Sequence, residues 1–311
     1  MKILSLICPV LNEGPCVEEF FFHLNVLIDS LKKYNVSLEI IFVDDGSTDD
    51  TISNILKYSK EFNVTIIQLS RNFGKEAALF AGLENSRGDA VIPYDIDMQD
   101  PLIIIIQLVE CWIGGALRVV AERRDRHSET FFKRHSSGAY YRIMRMLSDT
   151  PSESEIGDFQ LLDKEVVKHF IKIRDKVRYN KGLFSWMGFD PVVVGYSRNQ
   201  RTKGLSKFQL SKLFHLATNG IFSFSTKPIK VIAASGFFVA LISFVLVFYF
   251  LYLRIFFGVE VPGYASLAVM ISFFSGVQML FLGIIGIYIG TVLSEVKDRP
   301  IYLIKKIIHP K

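Results

Sequence analysis

The chain of 311 residues has little cysteine and lacks the common nucleotide-binding motifs. Its three cysteines, Cys8, Cys16 and Cys111, have neither metal-site nor disulfide spacing, which suits a reducing compartment. No G-x-G-x-x-G follows the first apolar run and no G-x-x-x-x-G-K-[ST] occurs, which argues against a dinucleotide-binding dehydrogenase and a P-loop protein. The N-terminal apolar run is short and lacks a small-residue cleavage site, so we predict a first strand there and not a signal peptide.

Charge is missing from two long segments near the C-terminus. Residues 231–253 and 261–294 contain no charged side chain, and each exceeds the roughly 20 residues that span a bilayer. A buried soluble hairpin is the alternative, but core helices rarely run so long without charge. We predict two transmembrane helices within residues 229–294. The flanks carry the basic residues Lys227, Lys230, Lys297, Arg299, Lys305 and Lys306. The positive-inside rule therefore places both flanks, including a basic tail at 295–311, and the N-terminal domain in the cytoplasm.

Residues 1–204 alternate β-rich runs with helical stretches, which predicts an α/β domain with a mostly parallel, Rossmann-like sheet flanked by helices. Polar and glycine-containing segments follow the first four predicted strands: "PVLNE", "VDDGSTDD", "SRNFGKE" and "DIDMQD". Ligands bind at the carboxyl ends of the strands in such sheets. The sequence therefore predicts a binding site along one edge of the sheet.

The most acidic of these segments is "VIPYDIDMQDP", residues 91–101. Alternate residues of an extended segment point the same way, so Asp95, Asp97 and Gln99 are expected to project to one side. Such oxygen ligands suit Mg²⁺ or Mn²⁺, which are held by one or two carboxylates plus substrate phosphates. The alternative is a turn whose aspartates cap the next helix. Likewise, Asp44 and Asp45 are candidates to accept hydrogen bonds from a nucleoside. The alternative is a plain turn before a capped helix, and the two are compatible.

Six motifs together resemble the polyprenyl-phosphate glycosyltransferases of glycosyltransferase family two. They are "PVLNE", "VDDGSTD", "SRNFGKEAALFAGL", "DIDMQDP", "GDFQLLD" and "KGLFSWMGF", in this order and followed by two apolar segments. The resemblance is closest to the bactoprenol glucosyltransferases of O-antigen serotype conversion and more distant to dolichyl-phosphate mannose synthase. Two segments depart from the family pattern: "MQDPLII" replaces "LQDPPE", and "TKGLSK" replaces "GETK" or "GDTK", which puts the acceptor-side loop in doubt.

The resemblance implies a GT-A fold and metal-dependent, inverting transfer of a hexose to undecaprenyl phosphate. The nearest likeness suggests glucose from UDP-glucose, with mannose or an amino sugar as alternatives, for modification of O-antigen or another cell-envelope glycan. It also implies a multi-pass protein of the bacterial inner membrane, in contact with membrane lipid, with both termini cytoplasmic. A downstream flippase and a second glycosyltransferase are the implied partners. Independently of the resemblance, the small-xxx-small pair Gly286 and Gly290 would let helices approach closely, which hints at a homo-oligomer.

The resemblance also assigns residues by motif. Asp95, Asp97 and Gln99 would hold the metal and the donor diphosphate. Asp158 occupies the position of the catalytic aspartate, and Asp97 is the second residue with a catalytic role. The residues that would hold the nucleotide sugar, together with Asp95, are Pro9, Leu11, Glu13 and Asp44. The acceptor-phosphate candidates are Arg123, Lys133, Arg134, Ser137, Arg201 and Lys207.

The acceptor candidates lie in and beyond a basic stretch, residues 118–145, that a solvated helix face would also explain. Nucleic acid is a poor partner for this stretch, because no aromatic stacking pattern accompanies the charge and the apolar segments tether the domain beside lipid. Residues 205–228 interleave lysine with leucine and phenylalanine, which predicts an amphipathic juxtamembrane helix, with a core helix as the alternative.

Two other functions are alternatives to this prediction. A processive polysaccharide synthase is expected to carry a Q-x-x-R-W motif and more membrane spans, and neither is present. A membrane scaffold that binds nucleotide sugar without turnover does not need the acidic residues Asp95, Asp97 and Asp158.

Overall fold

A computed structural model describes residues 1–123, 156–176, 178–196, 227–257 and 263–310. In chain order the elements are β1 (Lys2–Val10), α1 (Gly14–Lys32), β2 (Val36–Asp44), α2 (Thr51–Tyr58), a 3₁₀ turn (Ser59–Glu61), β3 (Val64–Leu69), α3 (Lys75–Glu84), β4 (Ala90–Pro93), α4 (Ile104–Ile113), β5 (Arg118–Arg123), β6 (Ile156–Asp163), α5 (Lys164–Phe170), α6 (Asn180–Trp186), β7 (Val192–Tyr196), α7 (Lys227–Phe257), α8 (Tyr264–Val296) and β8 (Ile304–Ile308). The predicted α/β class is confirmed.

The strands form one eight-stranded sheet in the order β7-β5-β6-β4-β1-β2-β3-β8. Strand β1 lies in the middle and pairs in parallel with β2 and β4, and β2 pairs in parallel with β3. Strand β6 runs antiparallel to both β4 and β5. The carboxyl ends of β1 to β4 therefore meet at one edge of the sheet, called here the carboxyl edge.

Helices cover both faces of the sheet because their apolar residues repeat at helical spacing. Helix α1 buries Val17, Phe20, Leu24, Leu27 and Leu31 on one stripe. This stripe and α4 pack with the side chains from one face of the sheet, and α3, α5 and α6 pack against the other face. The central strands read as nearly continuous apolar runs because both of their faces are buried.

Helix α3 lies unusually close to the sheet. A Cβ atom added at Gly82 would come within 2.2 Å of Ile7 Cγ2 and 3.2 Å of Val43 Cγ2. The helix therefore needs a residue without a side chain where it passes over β1 and β2. This packing brings the first residue of α3, Lys75, to the carboxyl edge.

The C-terminal helices α7 and α8 have 31 and 33 residues and contain windows, 229–246 and 273–296, that are apolar and long enough to cross a membrane. None of either window is buried inside the protein. Large side chains such as Phe244, Leu282 and Ile289 are exposed along them. Helices that expose so much apolar surface are stable only in an apolar surrounding, which supports membrane association.

The segment expected as a basic tail returns to the sheet. Strand β8 pairs antiparallel with β3, with Ile66 opposite Ile308 and Gln68 opposite Lys306. The Ser70 amide also donates to the Leu303 carbonyl at 2.9 Å. The chain after α8 is therefore part of the same sheet that carries the carboxyl edge.

Candidate active site

Two loops at the carboxyl edge, β1–α1 and β2–α2, are joined by side-chain hydrogen bonds. Asn12, with a φ of 55°, donates its amide to Ser47 Oγ at 3.0 Å and accepts from the Thr48 amide at 2.8 Å. The Glu13 amide donates to Thr51 Oγ1 at 2.9 Å. These contacts fix the "PVLNE" segment against the "VDDGSTDD" segment, so that both predicted nucleoside-binding segments form one surface.

The neighbouring carboxylates Asp44 and Asp45 are both buried but have different partners. Asp44 Oδ1 accepts from the Ser47 amide at 2.9 Å, which closes the turn after β2. Asp45 accepts from the amides of Phe73 and Gly74 at 2.7 and 2.9 Å. Burial raises the pKa of the Asp45 carboxyl, and these two hydrogen bonds oppose that rise. Asp45 therefore anchors the β3–α3 loop to the end of β2.

The segment after β4 presents two carboxylates to solvent. Tyr94 and Ile96 are buried in the core, whereas Asp95 and Asp97 are half-buried, so the expected alternation holds over these four residues. Gln99 does not follow it, because the chain turns at Met98, whose φ is 57°. The turn instead lets the Gln99 side-chain amide donate to Asp97 Oδ2 at 2.6 Å. The Gln99 side chain therefore reaches Asp97 through this turn and not through the alternation of an extended segment.

Two tyrosines hold this turn in place. Tyr94 Oη donates to the Asp100 carbonyl at 2.6 Å, and Tyr196 Oη, from β7, donates to Asp100 Oδ1 at 2.5 Å. Burial raises the pKa of Tyr94 well above its ordinary value, so its phenol keeps its proton and remains a donor. The acidic segment is consequently fixed on its inner side and open on its outer side.

Lys75 contacts the acidic segment from the start of α3. Its Nζ lies 2.7 Å from Asp95 Oδ2, and both side chains are nearly half exposed. A cation at a helix N-terminus is disfavoured by the helix dipole, so this position is compatible with an anionic partner such as Asp95. Lys75 is not among the residues predicted from the sequence, although its place directly after the "FG" that precedes a helix is a local signal.

Glu13 affects the pKa of the nearby Cys16 thiol. Burial, followed by the charge of Glu13 and a hydrogen bond to it, raises the pKa of Cys16 to about 11. The charge of Asp97 adds to the rise, which indicates that α1 begins close to the acidic segment. Negative potential therefore extends from Glu13 to Asp97 across the end of β1.

This arrangement can provide two carboxylates to a divalent cation, but not a complete protein site. Among the described residues, no group of three or more metal-ligating side chains comes together. Asp95 and Asp97 offer hard oxygen ligands, and Mg²⁺ and Mn²⁺ commonly take their remaining ligands from substrate phosphates and water. The donor set therefore fits a cation that binds together with a diphosphate.

The other predicted site residues divide into those that the structure places and those that it does not. Pro9 and Glu13 are partly buried at the end of β1, and Leu11 is 40% exposed beside them. Arg123 ends β5 and Asp158 lies in β6, and for both the structure describes the backbone only. The candidates outside the described residues are Lys133, Arg134, Ser137, Arg201 and Lys207, and most of the predicted juxtamembrane helix lies outside them as well.

Known proteins resemble this chain over most of its length. Residues 5–171 match the family model described as Glycosyl transferase family 2. The SfII prophage-derived bactoprenol glucosyl transferase of Shigella flexneri is 43% identical over 308 residues, which cover 98% of each chain. The prophage bactoprenol glucosyl transferase homolog of Escherichia coli strain K12 is 40% identical over 309 residues, or 99% of each chain.

Among solved structures, glucosyl-3-phosphoglycerate synthase from Mycobacterium tuberculosis, in complex with Mn²⁺, UDP-glucose and phosphoglyceric acid, is 20% identical. It covers 71% of this chain and 78% of its own, with a TM-score of 0.46, which is too low to compare the two sites residue by residue. The assignment to a family rests instead on the matched family model and on the full-length relatives. The chain belongs to glycosyl transferase family 2.

Proposed function

We propose that this protein transfers a glucosyl group from UDP-glucose to a polyprenyl phosphate, with undecaprenyl phosphate as the acceptor. The observation that carries the proposal is the placement of Asp44, Asp95 and Asp97 around the end of the central strand β1. Asp44 lies opposite Val10 on one side of β1, and the Tyr94 amide donates to the Ile7 carbonyl on the other side. The names of the full-length relatives, bactoprenol glucosyl transferases, supply the sugar and the lipid.

In this proposal the donor lies across the end of β1. Pro9, Leu11, Glu13 and Asp44 contact the nucleoside, and Asp95 and Asp97 lie beside the diphosphate. Mg²⁺ or Mn²⁺ held by these two carboxylates would neutralise the negative charge that develops on the leaving nucleotide. Gln99 joins that site only if its side chain turns its oxygen outward, because it now donates to Asp97.

The acceptor needs little activation. A phosphate monoester has its second pKa near 6 and is largely ionised at neutral pH. One of its oxygens attacks the anomeric carbon, the bond between that carbon and the diphosphate oxygen breaks, and UDP leaves with inversion at the carbon. Asp158 then serves mainly to orient the acceptor, and the six basic and hydroxyl candidates, from Arg123 to Lys207, contact its phosphate.

The two long apolar helices support a reaction beside the bilayer. Strand β8 follows α8 and belongs to the same sheet as β1 to β4, so the chain must return to the side on which that sheet lies. Two crossings by α7 and α8 satisfy this condition. The active site then faces the cytoplasmic leaflet, where both UDP-glucose and the phosphate of a polyprenyl lipid are present.

The proposal is tested with the purified full-length protein in lipid nanodiscs that contain undecaprenyl phosphate. A panel of radiolabelled nucleotide sugars is added with Mg²⁺, and label in the organic phase is measured. We expect UDP-glucose to give the most labelled lipid. A faster reaction with GDP-mannose or an amino-sugar nucleotide would show that the protein transfers a sugar other than glucose. UDP release without labelled lipid would show that undecaprenyl phosphate is not the acceptor. Asp158→Asn should keep the bulk of the turnover with metal binding intact; a collapse that follows the titration of one carboxyl group would identify a general base instead.

A further inference from the structure

Lys75 is a cationic group that pairs with the acidic segment after β4. Its ammonium contacts Asp95 Oδ2, one of the oxygens that would face a divalent cation. The pair links two elements 20 residues apart in sequence, the start of α3 and the end of β4. Its position follows from the tight packing of α3 at Gly82, so the side chain is directed at the carboxyl edge by the fold itself.

The pair is held loosely enough to exchange. The exposed fractions of the two side chains are 49% and 43%, and ion pairs with such exposure contribute little to folding stability. Lysine carries a point charge on a flexible four-carbon stem, so the ammonium can leave Asp95 without movement of the backbone. A divalent cation at Asp95 would repel it, whereas a diphosphate beside that cation would attract it.

We propose that, before metal and nucleotide bind, the Lys75 ammonium lies at Asp95 where the divalent cation would bind. When metal and nucleotide bind, the ammonium moves to the donor diphosphate. This inference rests on the proposed function, because it assumes that Asp95 contributes to the metal site. The exchange makes the binding of metal depend on the binding of nucleotide. Without nucleotide, the cation competes with the ammonium for Asp95; with nucleotide, the ammonium gains a new anionic partner and no longer opposes the metal.

The chain offers a matched control for the charge of Lys75. Lys164, at the start of α5, pairs with Asp89 at 3.7 Å, and its exposure of 51% is nearly that of Lys75. Asp89 precedes β4, so this pair lies at the opposite end of the strand from Asp95. Replacing either lysine by methionine removes one positive charge and keeps most of the stem. Only the replacement at position 75 touches the carboxyl edge.

The test measures Mn²⁺ affinity of the full-length protein in nanodiscs, by electron paramagnetic resonance of free Mn²⁺, with and without UDP. Without UDP, we expect Lys75→Met to bind Mn²⁺ about fivefold more tightly than the wild type. This factor corresponds to the upper end of the free energy that one exposed ion pair contributes. The gain in Mn²⁺ affinity on adding UDP should be smaller in Lys75→Met than in the wild type by a similar factor. Lys164→Met should match the wild type in both measurements, and Lys75→Arg, which keeps the charge, should stay close to it.

The outcomes separate this inference from the metal site itself. If Asp95→Asn loses Mn²⁺ binding but Lys75→Met leaves the affinity unchanged or weaker, the metal site stands and the role of Lys75 is wrong. An equal rise in Lys164→Met would mean a general effect of net charge and would also overturn it. If the wild type binds no Mn²⁺ even with UDP, both the metal site and the inference fail.

Discussion

The carboxylates of the carboxyl edge differ in what their oxygens contact, and this difference determines what each can do. Asp45 accepts two backbone hydrogen bonds and fixes a loop. Asp95 faces a flexible lysine that can be displaced, and Asp97 accepts from the Gln99 side chain. Sequence alone does not separate Asp45 and Asp95 from Asp44 and Asp97. The partners of Asp45 and Asp95 come from the β3–α3 loop and from α3, whereas Asp44 and Asp97 have partners within their own loops. A sequence pattern therefore predicted the acidic edge correctly but not the division of roles within it.

The pKa of Cys16 depends on burial and on the negative potential of the carboxyl edge. Its pKa of about 11 means that the reactive thiolate is scarce near neutrality. In a Cys111→Ser variant, where Cys16 is the only cysteine not fully buried, we expect iodoacetamide to react slowly at pH 8 and about tenfold faster per pH unit up to pH 10. Mass spectrometry of the alkylated peptide measures the rate.

Glu13→Gln removes one cause of the raised pKa and should speed the reaction at pH 8. The sign follows from the charge, because a nearby carboxylate disfavours the thiolate and its removal favours it. A rate that reaches a plateau near pH 9 in the wild type, or that is unchanged by Glu13→Gln, would show that Cys16 does not experience this potential.

At the scale of elements, the position of α3 determines where Lys75 points. Gly82→Ala would place a methyl group against the fully buried Ile7, and we expect a loss of about 1–3 kcal/mol in the free energy of unfolding despite the better helix propensity of alanine. Chemical denaturation of the purified protein measures it. The loss should shrink in an Ile7→Ala background, where the clashing methyl is absent. An equal loss in both backgrounds would mean that Gly82 matters for another reason.

The attachment of the C-terminal segment gives a second prediction for an element. Tyr302 Oη donates to Glu84 Oε2 at 2.7 Å, and burial, followed by this carboxylate, raises the pKa of Tyr302 above its ordinary value. The folded-state pKa therefore exceeds the unfolded value near 10, so the contribution of Tyr302 is complete below pH 10 and is lost as the pH rises further.

Tyr302→Phe should consequently cost about 1 kcal/mol at pH 8 and less at pH 10.5. Thermal unfolding of the wild type and the variant at the two pH values measures the difference. A gap between the two proteins that widens with pH would contradict the assigned direction of the pKa.

Local patterns explain which elements the sequence predicted. Strands β1 to β4 are apolar runs bounded by turns, and α1 repeats its apolar residues at helical spacing, so both kinds of element follow from short windows. Strand β8, with the sequence "IKKII", is too short and too basic to be recognised alone. Its partner β3 lies more than 230 residues earlier in the chain, and no local signal encodes such a pairing.

At the scale of the whole molecule, the sheet and the two long helices constrain the membrane topology. Since β8 closes onto the sheet after α8, the segment between α7 and α8 should lie on the opposite side of the membrane from the sheet. In a cysteine-free background, Val259→Cys should react with a membrane-impermeant maleimide added to intact cells. Lys33→Cys, directly after α1, and Lys305→Cys, in β8, are at exposed positions and should react only after lysis. Labelling of Lys305→Cys in intact cells would contradict two crossings.

The most direct test of the central claim is metal-dependent synthesis of the glycolipid. Full-length protein in nanodiscs with undecaprenyl phosphate and labelled UDP-glucose should form labelled lipid with Mg²⁺ or Mn²⁺, lose nearly all of it in excess chelator, and regain it when metal is restored. Asp95→Asn should lower the rate by at least about tenfold, and Asp29→Asn, at an exposed position on α1, should not. Synthesis that continues unchanged in chelator, or in Asp95→Asn, would contradict the account.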